Sequence, residues 1–267
     1  MAKKIHKEET VPEVLEDKKA PEIEVVPEQE DRLESWKPVS SLGKRVKAKE
    51  VADIEDIFKS GDQILESQIV DYLIQDLQED LMLIGQAKGK FGGGKRRIFK
   101  QTQKKTEEGN KMHFLTCAIV GNKNGYVGVA TGKSKETVPA RDKAIRNAKL
   151  ALIRIRRGCG SWECGCKQPH SIPFTVEGKC GSSKITLIPA PKGKGLCIEK
   201  ECAKVLTLAG IKDVWSKTEG QTGTKLNMKG ALMDALKKLS QIKIKPEDIQ
   251  KLGIIEGKLK EVEKIEA

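Results

Sequence analysis

The sequence predicts an α+β protein built from two successive αβ units, and three observations carry that expectation. The apolar runs HFLTCAIVG and YVGVATG are joined by NKNG, in which Asn124 and Gly125 suit the two positive-φ positions of a type I′ hairpin. A helical pattern with a narrow apolar stripe and a basic remainder follows that hairpin. After residue 172 the pattern alternates strand, strand, helix, strand, helix, as a second compact α+β unit would. At 267 residues the chain is long enough to bury a core without staples.

Residues 1–35 combine Glu-rich composition with Pro12, Pro21 and Pro27 and lack periodicity, so a disordered acidic tail is expected there. Residues 36–78 read as a docking arm and helix. Trp36, Val39, Leu42 and Val46 are its isolated apolar anchors, a short helix holds Ile54, Ile57 and Phe58, and Gly61 ends it. ESQIVDYLIQDL then repeats Ile69, Leu73 and Leu77 at helical spacing.

Residues 79–158 form the first αβ unit. LMLIG, 81–85, reads as a strand, AKGKFGGGKRRIFK as a flexible basic loop, and the hairpin as two more strands. The helix runs from an N-cap at Ser134, through Pro139 in its first turn, to Gly158, about six turns. Ala140, Ala144, Ile145, Ala148, Leu152 and Ile155 make its stripe, while Arg141, Lys143, Arg146, Lys149, Arg154 and Arg156 fill the remainder. A three-stranded antiparallel sheet with such a basic helix forms a double-stranded-RNA-binding type of unit. Residues 159–172 are a Cys/His connection, 173–242 the second α+β domain, and 243–267 a C-terminal extension with the short helix PEDIQKLG.

Charge narrows the function. Residues 1–85 carry 12 Lys+Arg and 21 Asp+Glu, whereas residues 86–267 carry 38 and 17, against +12 for the whole chain. A body this basic, with its cations clustered in loops and along one helix, points to a polyanion partner rather than to a generally basic surface. The cations expected to meet RNA begin with Lys88, Lys90, Lys95, Arg96, Arg97 and Lys100 in the glycine-rich segment around Gly92 to Gly94. Lys104, Lys105 and Lys111 follow in a loop, Lys123 in the hairpin turn, and Lys133 and Lys135 at the helix start. Arg156 and Arg157 end that helix. PAPKGKGLCI adds Lys192 and Lys194, interleaved with Gly193 and Gly195, for which a plain basic turn is an equal reading.

Other classes find little support. GVATGKS has only three residues between Gly128 and Gly132, one too few for a nucleotide-phosphate loop. His6, His113 and His170 are the three histidines, and no paired carboxylates or nucleophile elbow accompany them, so no catalysis and no small-molecule substrate are expected. There is no run of about 18 or more apolar residues, and MAKKIHKEETVPE lacks a signal-peptide core, so no membrane association and a soluble, intracellular protein are expected.

In that reducing setting the cysteines read first as thiols or ligands. Cys117 and Cys202 fit as buried small hydrophobes, and Cys180 and Cys197 flank glycine-rich turns. CGSWECGCKQPH gathers Cys159, Cys164, Cys166 and His170 in a C-x4-C-x-C-x3-H spacing, with Gly158, Gly160 and Gly165 to allow the reversal. Structural Zn2+ with four protein ligands is one reading, and free or redox-sensitive thiols the other. Trp162, inside the loop, is expected to pack or stack.

The run FLTCAIVGNKNGYVGVATGKSKETVPARDKAIRNAK, then HSIPFTVEGKCGSSKITLIPAPKGKGL and LAGIKDVWSKTEGQT, closely resembles the universal small-subunit ribosomal protein five family, called protein two in eukaryotes. The resemblance spans about residues 36–240, and Trp36, Pro38, Leu42 and Gly43 look like its archaeal and eukaryotic branch, with the three-cysteine loop resembling an archaeal feature. It implies a structural constituent of the small ribosomal subunit that binds its ribosomal RNA and touches ribosomal proteins four and eight. It further implies a place near where messenger RNA enters and, with proteins four and twelve, support of translational accuracy. Lys104, Lys105, Gly109, Asn110 and Lys111 match the family's accuracy-linked loop, and Lys192 to Gly195 its second glycine-rich turn. The segment 87–100 is longer than the family's ordinary first strand and is expected to add an RNA contact. A free zinc-containing RNA-binding regulatory factor is the alternative function.

Overall fold

The computed structural model describes residues 36–86 and 96–259. The expected disordered tail at 1–35 lies outside the described residues, as do Lys88, Lys90, Lys95 and the three glycines among them.

The arm consists of three one-to-two-turn helices, α1 (Ser41–Lys47), α2 (Ile54–Ser60) and α3 (Ser67–Leu73). Ser40 caps α1 by accepting the Gly43 N–H at 3.0 Å, and left-handed Gly61 ends α2. Leu42, Val46, Ile54, Ile57 and Ile69 are buried as the pattern requires, but Val39, expected as an anchor, is 86% exposed. Its backbone N–H, with that of Ser40, is instead held by the Glu66 carboxylate. α2 reaches the first sheet by stacking Phe58 on Tyr126, ring centroids 5.9 Å apart, while the Tyr126 hydroxyl donates to Glu55 at 3.1 Å.

The first sheet has five strands rather than three: β1 (Gln78–Leu81), β2 (Lys100–Thr106), β3 (Gly109–Gly121), β4 (Tyr126–Ser134) and β5 (Leu152–Arg154), all antiparallel. β3 is long enough to pair β2 along its first half and β1 along its second. Strand LMLIG is therefore displaced toward the N-terminus. After Leu81 a single further bond joins Met82 N–H to the Cys117 carbonyl, and Gly85 turns away to donate to the Arg97 carbonyl. The segment expected as a loop around Lys104 to Lys111 is a ribbon, Lys104 facing Lys111 in its register.

The hairpin β3–β4 forms where expected, but positive φ falls at Lys123 and Gly125 and not at Asn124. The reason is tertiary: Lys123 and Gly125 N–H groups donate to the carbonyls of Leu208 and Ala209 in a later helix. α4 (Thr137–Leu150) is likewise shorter than its sequence pattern. Ser134 closes β4 instead of capping the helix, Glu136 holds the cap position, and Pro139 does sit in the first turn. Beyond Ala151, Leu152 to Arg154 pair with β4 and Arg156–Arg157 form β6, because β-branched Ile153 gains more from sheet pairing than from a further helical turn, while Ile155 between the two strands donates its N–H to the Gly125 carbonyl at 2.8 Å.

The second unit contains β7 (Val176–Cys180), β8 (Ser183–Pro189), the two-residue β9 (Leu196–Cys197), α5 (Lys200–Ala209), β10 (Val214–Glu219) and α6 (Lys225–Gln241). Its sheet order is β7-β8-β10-β9, with β9 parallel to β10. α7 (Pro246–Leu252) and β11 (Ile255–Glu256) finish the described chain, β11 pairing with β6.

Alternation along β3 divides the interior. Ala118 and Val120 meet Ala144 and Ala148 of α4, whereas Cys117 and Ile119 face the opposite way and join Val205 and Leu206 of α5. The same apolar cluster continues through Ile185, Leu187 and Val214 to Met228, Leu232 and Leu236 of α6. Both αβ units thus share one continuous interior.

Candidate metal centre and nucleic-acid surface

The connection from β6 into β7 folds back on itself, bridged by Gly158 and Ser171, which exchange backbone hydrogen bonds at 2.9 and 3.0 Å. Within that reversal the ligand atoms of Cys159, Cys164, Cys166 and His170 all lie within 4.8 Å of one another. The Cys164 Sγ to His170 Nε2 separation is 3.8 Å. Ligand bonds of about 2.3 Å to sulfur and about 2.0 Å to nitrogen at tetrahedral angles place neighbouring donors roughly 3.5–3.8 Å apart, so a small contraction closes the set around Zn2+. All seven cysteines are free thiols.

The histidine is oriented from behind. His170 Nδ1 lies 2.8 Å from Asp213 Oδ2, and both side chains are almost fully buried. A carboxylate there fixes the proton on Nδ1 and leaves Nε2, facing the cysteines, with its lone pair. Asp213 Oδ1 accepts the Gly195 N–H at 2.8 Å, and the Asp213 carbonyl accepts the Ser171 hydroxyl at 2.5 Å. Hydrogen bonds from the backbone N–H groups of Lys192 and Cys166 pull the Cys164 thiol down to about 6, whereas burial and the neighbouring thiols push Cys159 up to about 11. A low-pKa thiol beside hydrogen-bond donors is suited to ligation as thiolate. Trp162, expected to pack or stack, packs against nothing substantial: it is 89% exposed at the outside of the loop.

The cations divide into two groups. Arg96, Arg97, Lys100, Lys104, Lys105, Lys111, Lys123, Lys133, Lys135, Lys192 and Lys194 are exposed. Four of these stand on the β2–β3 ribbon, where Lys111 also pairs with Glu108 at 2.7 Å. Arg141, Lys143 and Arg146 line the outer side of α4 as the helical pattern requires, but Lys149 turns inward between Asp71 and Glu79 at 2.8 and 3.0 Å.

Arg156 and Arg157 leave the RNA-facing set. They are only 7% and 2% exposed. Arg156 Nε donates to Glu256 at 2.6 Å and its NH1 donates to the Leu239 and Ile242 carbonyls, while Arg157 donates to Asn124 and to the Gly257 carbonyl. They hold the C-terminal segment against the body. Charge alone could not separate them from surface arginines, since their partners lie up to 100 residues away.

Sequence reasoning missed Asp213. It sits 43 residues beyond His170, and the one signal for it was an acid ending the apolar stretch LAGIKD.

Comparison with known proteins agrees with this architecture. Residues 98–156 match the family described as "Ribosomal protein S5, N-terminal domain" and residues 178–252 match "Ribosomal protein S5, C-terminal domain". The chain is 46% identical to "Small ribosomal subunit protein uS5" of Nanoarchaeum equitans, over 85% of this chain and 97% of the relative. The proteins of that name from Methanococcus maripaludis (strain DSM 14266) and Methanocaldococcus jannaschii are 45% and 44% identical, over 85% of this chain and 94% and 98% of theirs. With both domains matched in order and archaeal relatives 44–46% identical over 85% of the chain, the chain belongs to the ribosomal protein S5 family, in its archaeal form.

Proposed function

We propose that the protein is a structural constituent of the small ribosomal subunit that binds ribosomal RNA, without enzymatic activity, in the cytoplasm. The observation that carries this is the ordered match of both domains to relatives whose own name is small ribosomal subunit protein uS5. The exposed cations on the β2–β3 ribbon, at the start of α4 and in the turn at 191–195 supply phosphate contacts, and Trp162 offers an aromatic face to an unstacked base. The basic helix on an antiparallel sheet supports the likeness to a double-stranded-RNA-binding unit. Proteins four and eight as neighbours, a place where messenger RNA enters, and a share in accuracy with proteins four and twelve complete this reading, the ribbon around Lys104 to Lys111 being the accuracy-linked element. Sucrose-gradient fractionation of lysate tests it. Nearly all of the protein is expected to sediment with small subunits, and a large freely soluble pool would favour the regulatory-factor alternative.

The Cys159, Cys164, Cys166 and His170 set is proposed to hold one structural Zn2+. With four protein ligands no position is left for a reactive water, so the metal's chemistry is to crosslink the loop. The orientation of His170 by Asp213 and the clustering of four donors support it. Mass spectrometry of protein purified without chelators is expected to find about one zinc per chain. A metal content near zero would sink this assignment and favour free thiols.

A further inference from the structure

The turn at 191–195 has almost no packing of its own. Gly193 and Gly195 take φ of +87° and +76°, and a Cβ built on either meets nothing within 4 Å. Lys192, Gly193 and Lys194 are all exposed. Such a turn pays a large entropy on ordering and would wander unless tied from outside.

Apart from the Val214 N–H, which donates to the Gly195 carbonyl at 3.2 Å, its ties lead to the metal centre. Lys192 Nζ donates to the Gln168 side chain at 2.8 Å, inside the ligand loop. The Gly195 N–H donates to the Asp213 carboxylate that orients His170. Just before the turn, the Ala190 N–H donates to the hydroxyl of Ser171, the residue after His170, at 3.3 Å. Gln168 in the ligand loop, together with Ser171 and Asp213 beside His170, therefore ties both ends of a turn whose Lys192 and Lys194 are exposed.

We propose that the Cys159, Cys164, Cys166 and His170 centre, when it holds its metal, braces the 191–195 turn, so that the share of ribosomal-RNA affinity carried by Lys192 and Lys194 depends on metal. This rests on the metal and RNA-binding readings above. Metal at Nε2 holds the imidazole against Asp213 and hence against Gly195, and metal on the cysteines fixes the loop that carries Gln168, the partner of Lys192. Without metal, the loop from 159 to 170, which contains Gly160 and Gly165, loses its crosslink, and the turn loses its fixed anchor points.

The test uses full-length protein, zinc-loaded or stripped with chelator, binding in-vitro-transcribed small-subunit ribosomal RNA at fixed salt. It is run on the wild type and on the double variant Lys192→Ala, Lys194→Ala, whose exposed positions leave the fold intact. Stripping is expected to weaken wild-type binding by about 3–10-fold and the double variant by less than about 2-fold, since both changes remove the same contacts. Hydrogen exchange is expected to rise locally, at the amides of 191–195 and the ligand loop. An equal fold-loss in both proteins overturns the brace while leaving the metal and RNA readings standing. Exchange rising throughout the chain on stripping also overturns it, because the metal then stabilises the whole fold. No bound zinc overturns the metal reading and the brace with it, and no RNA binding by the loaded protein overturns the functional reading.

Discussion

Asp213 illustrates how one buried carboxylate serves two neighbours with different needs: an imidazole that must keep its proton on Nδ1, and the Gly195 N–H that requires an acceptor. Asparagine has nearly the same shape but one acceptor and one donor group, so Asp213→Asn either loses the Gly195 bond or turns its amide toward His170. If its amide faces His170, the ring proton moves to Nε2 and the lone pair needed for metal disappears. Zinc affinity is expected to fall about 10–100-fold with the fold retained, read by competition against a chromogenic chelator. Unchanged affinity would show that His170 needs no orienting partner. That Cys159, Cys164, Cys166 and His170 come together was legible because all four lie between residues 159 and 170. Asp213, and the buried roles of Arg156 and Arg157, were not, because each depends on a contact made far along the chain.

At the scale of elements, α4 rests on β4 at a distance set by glycine. A Cβ added at Gly132 would collide with the Ala140 carbonyl and approach Ala144, and one added at Gly128 would meet the Ala148 carbonyl. The small residues Ala140, Ala144 and Ala148 complete that close approach from the helix side. Gly132→Val must lift the helix or bend the strand, and a loss of stability of at least about 2–3 kcal/mol is expected in urea unfolding. A loss below about 0.5 kcal/mol would mean the interface is loose. The stripe of alanines was readable from spacing, and so was the hairpin. The end of α4 was not: Leu152 and Ile155 continue its helical spacing, and only pairing of Leu152 to Arg154 with β4 and the burial of Ile155 draw the chain out of the helix. The N-terminal shift of β1 has a similar origin, since apolar LMLIG fits a strand by composition while its backbone partners on β3 end at Ala118.

Across the whole molecule, the alternation of strands and helices was enough to give the two αβ units and their order. It could not show that Cys117, Ile119 and Val127 of the first sheet share an interior with α5 and α6, because a period of two only says that a face is buried and never against what. A similar limit applied around Lys104 to Lys111, expected as a loop because its residues are polar and found as the tip of the β2–β3 ribbon. Among the described residues the outer edge of β2 has no strand beside it, an open row of donors and acceptors over seven residues. An edge of this kind invites a second copy to add on, and two-stranded ribbons are barely stable alone. Lys100, Lys104 and Lys105 stand along it, and their mutual repulsion disfavours edge-to-edge pairing. The cations proposed to meet ribosomal RNA would thereby also disfavour edge-to-edge association of newly made, unassembled copies.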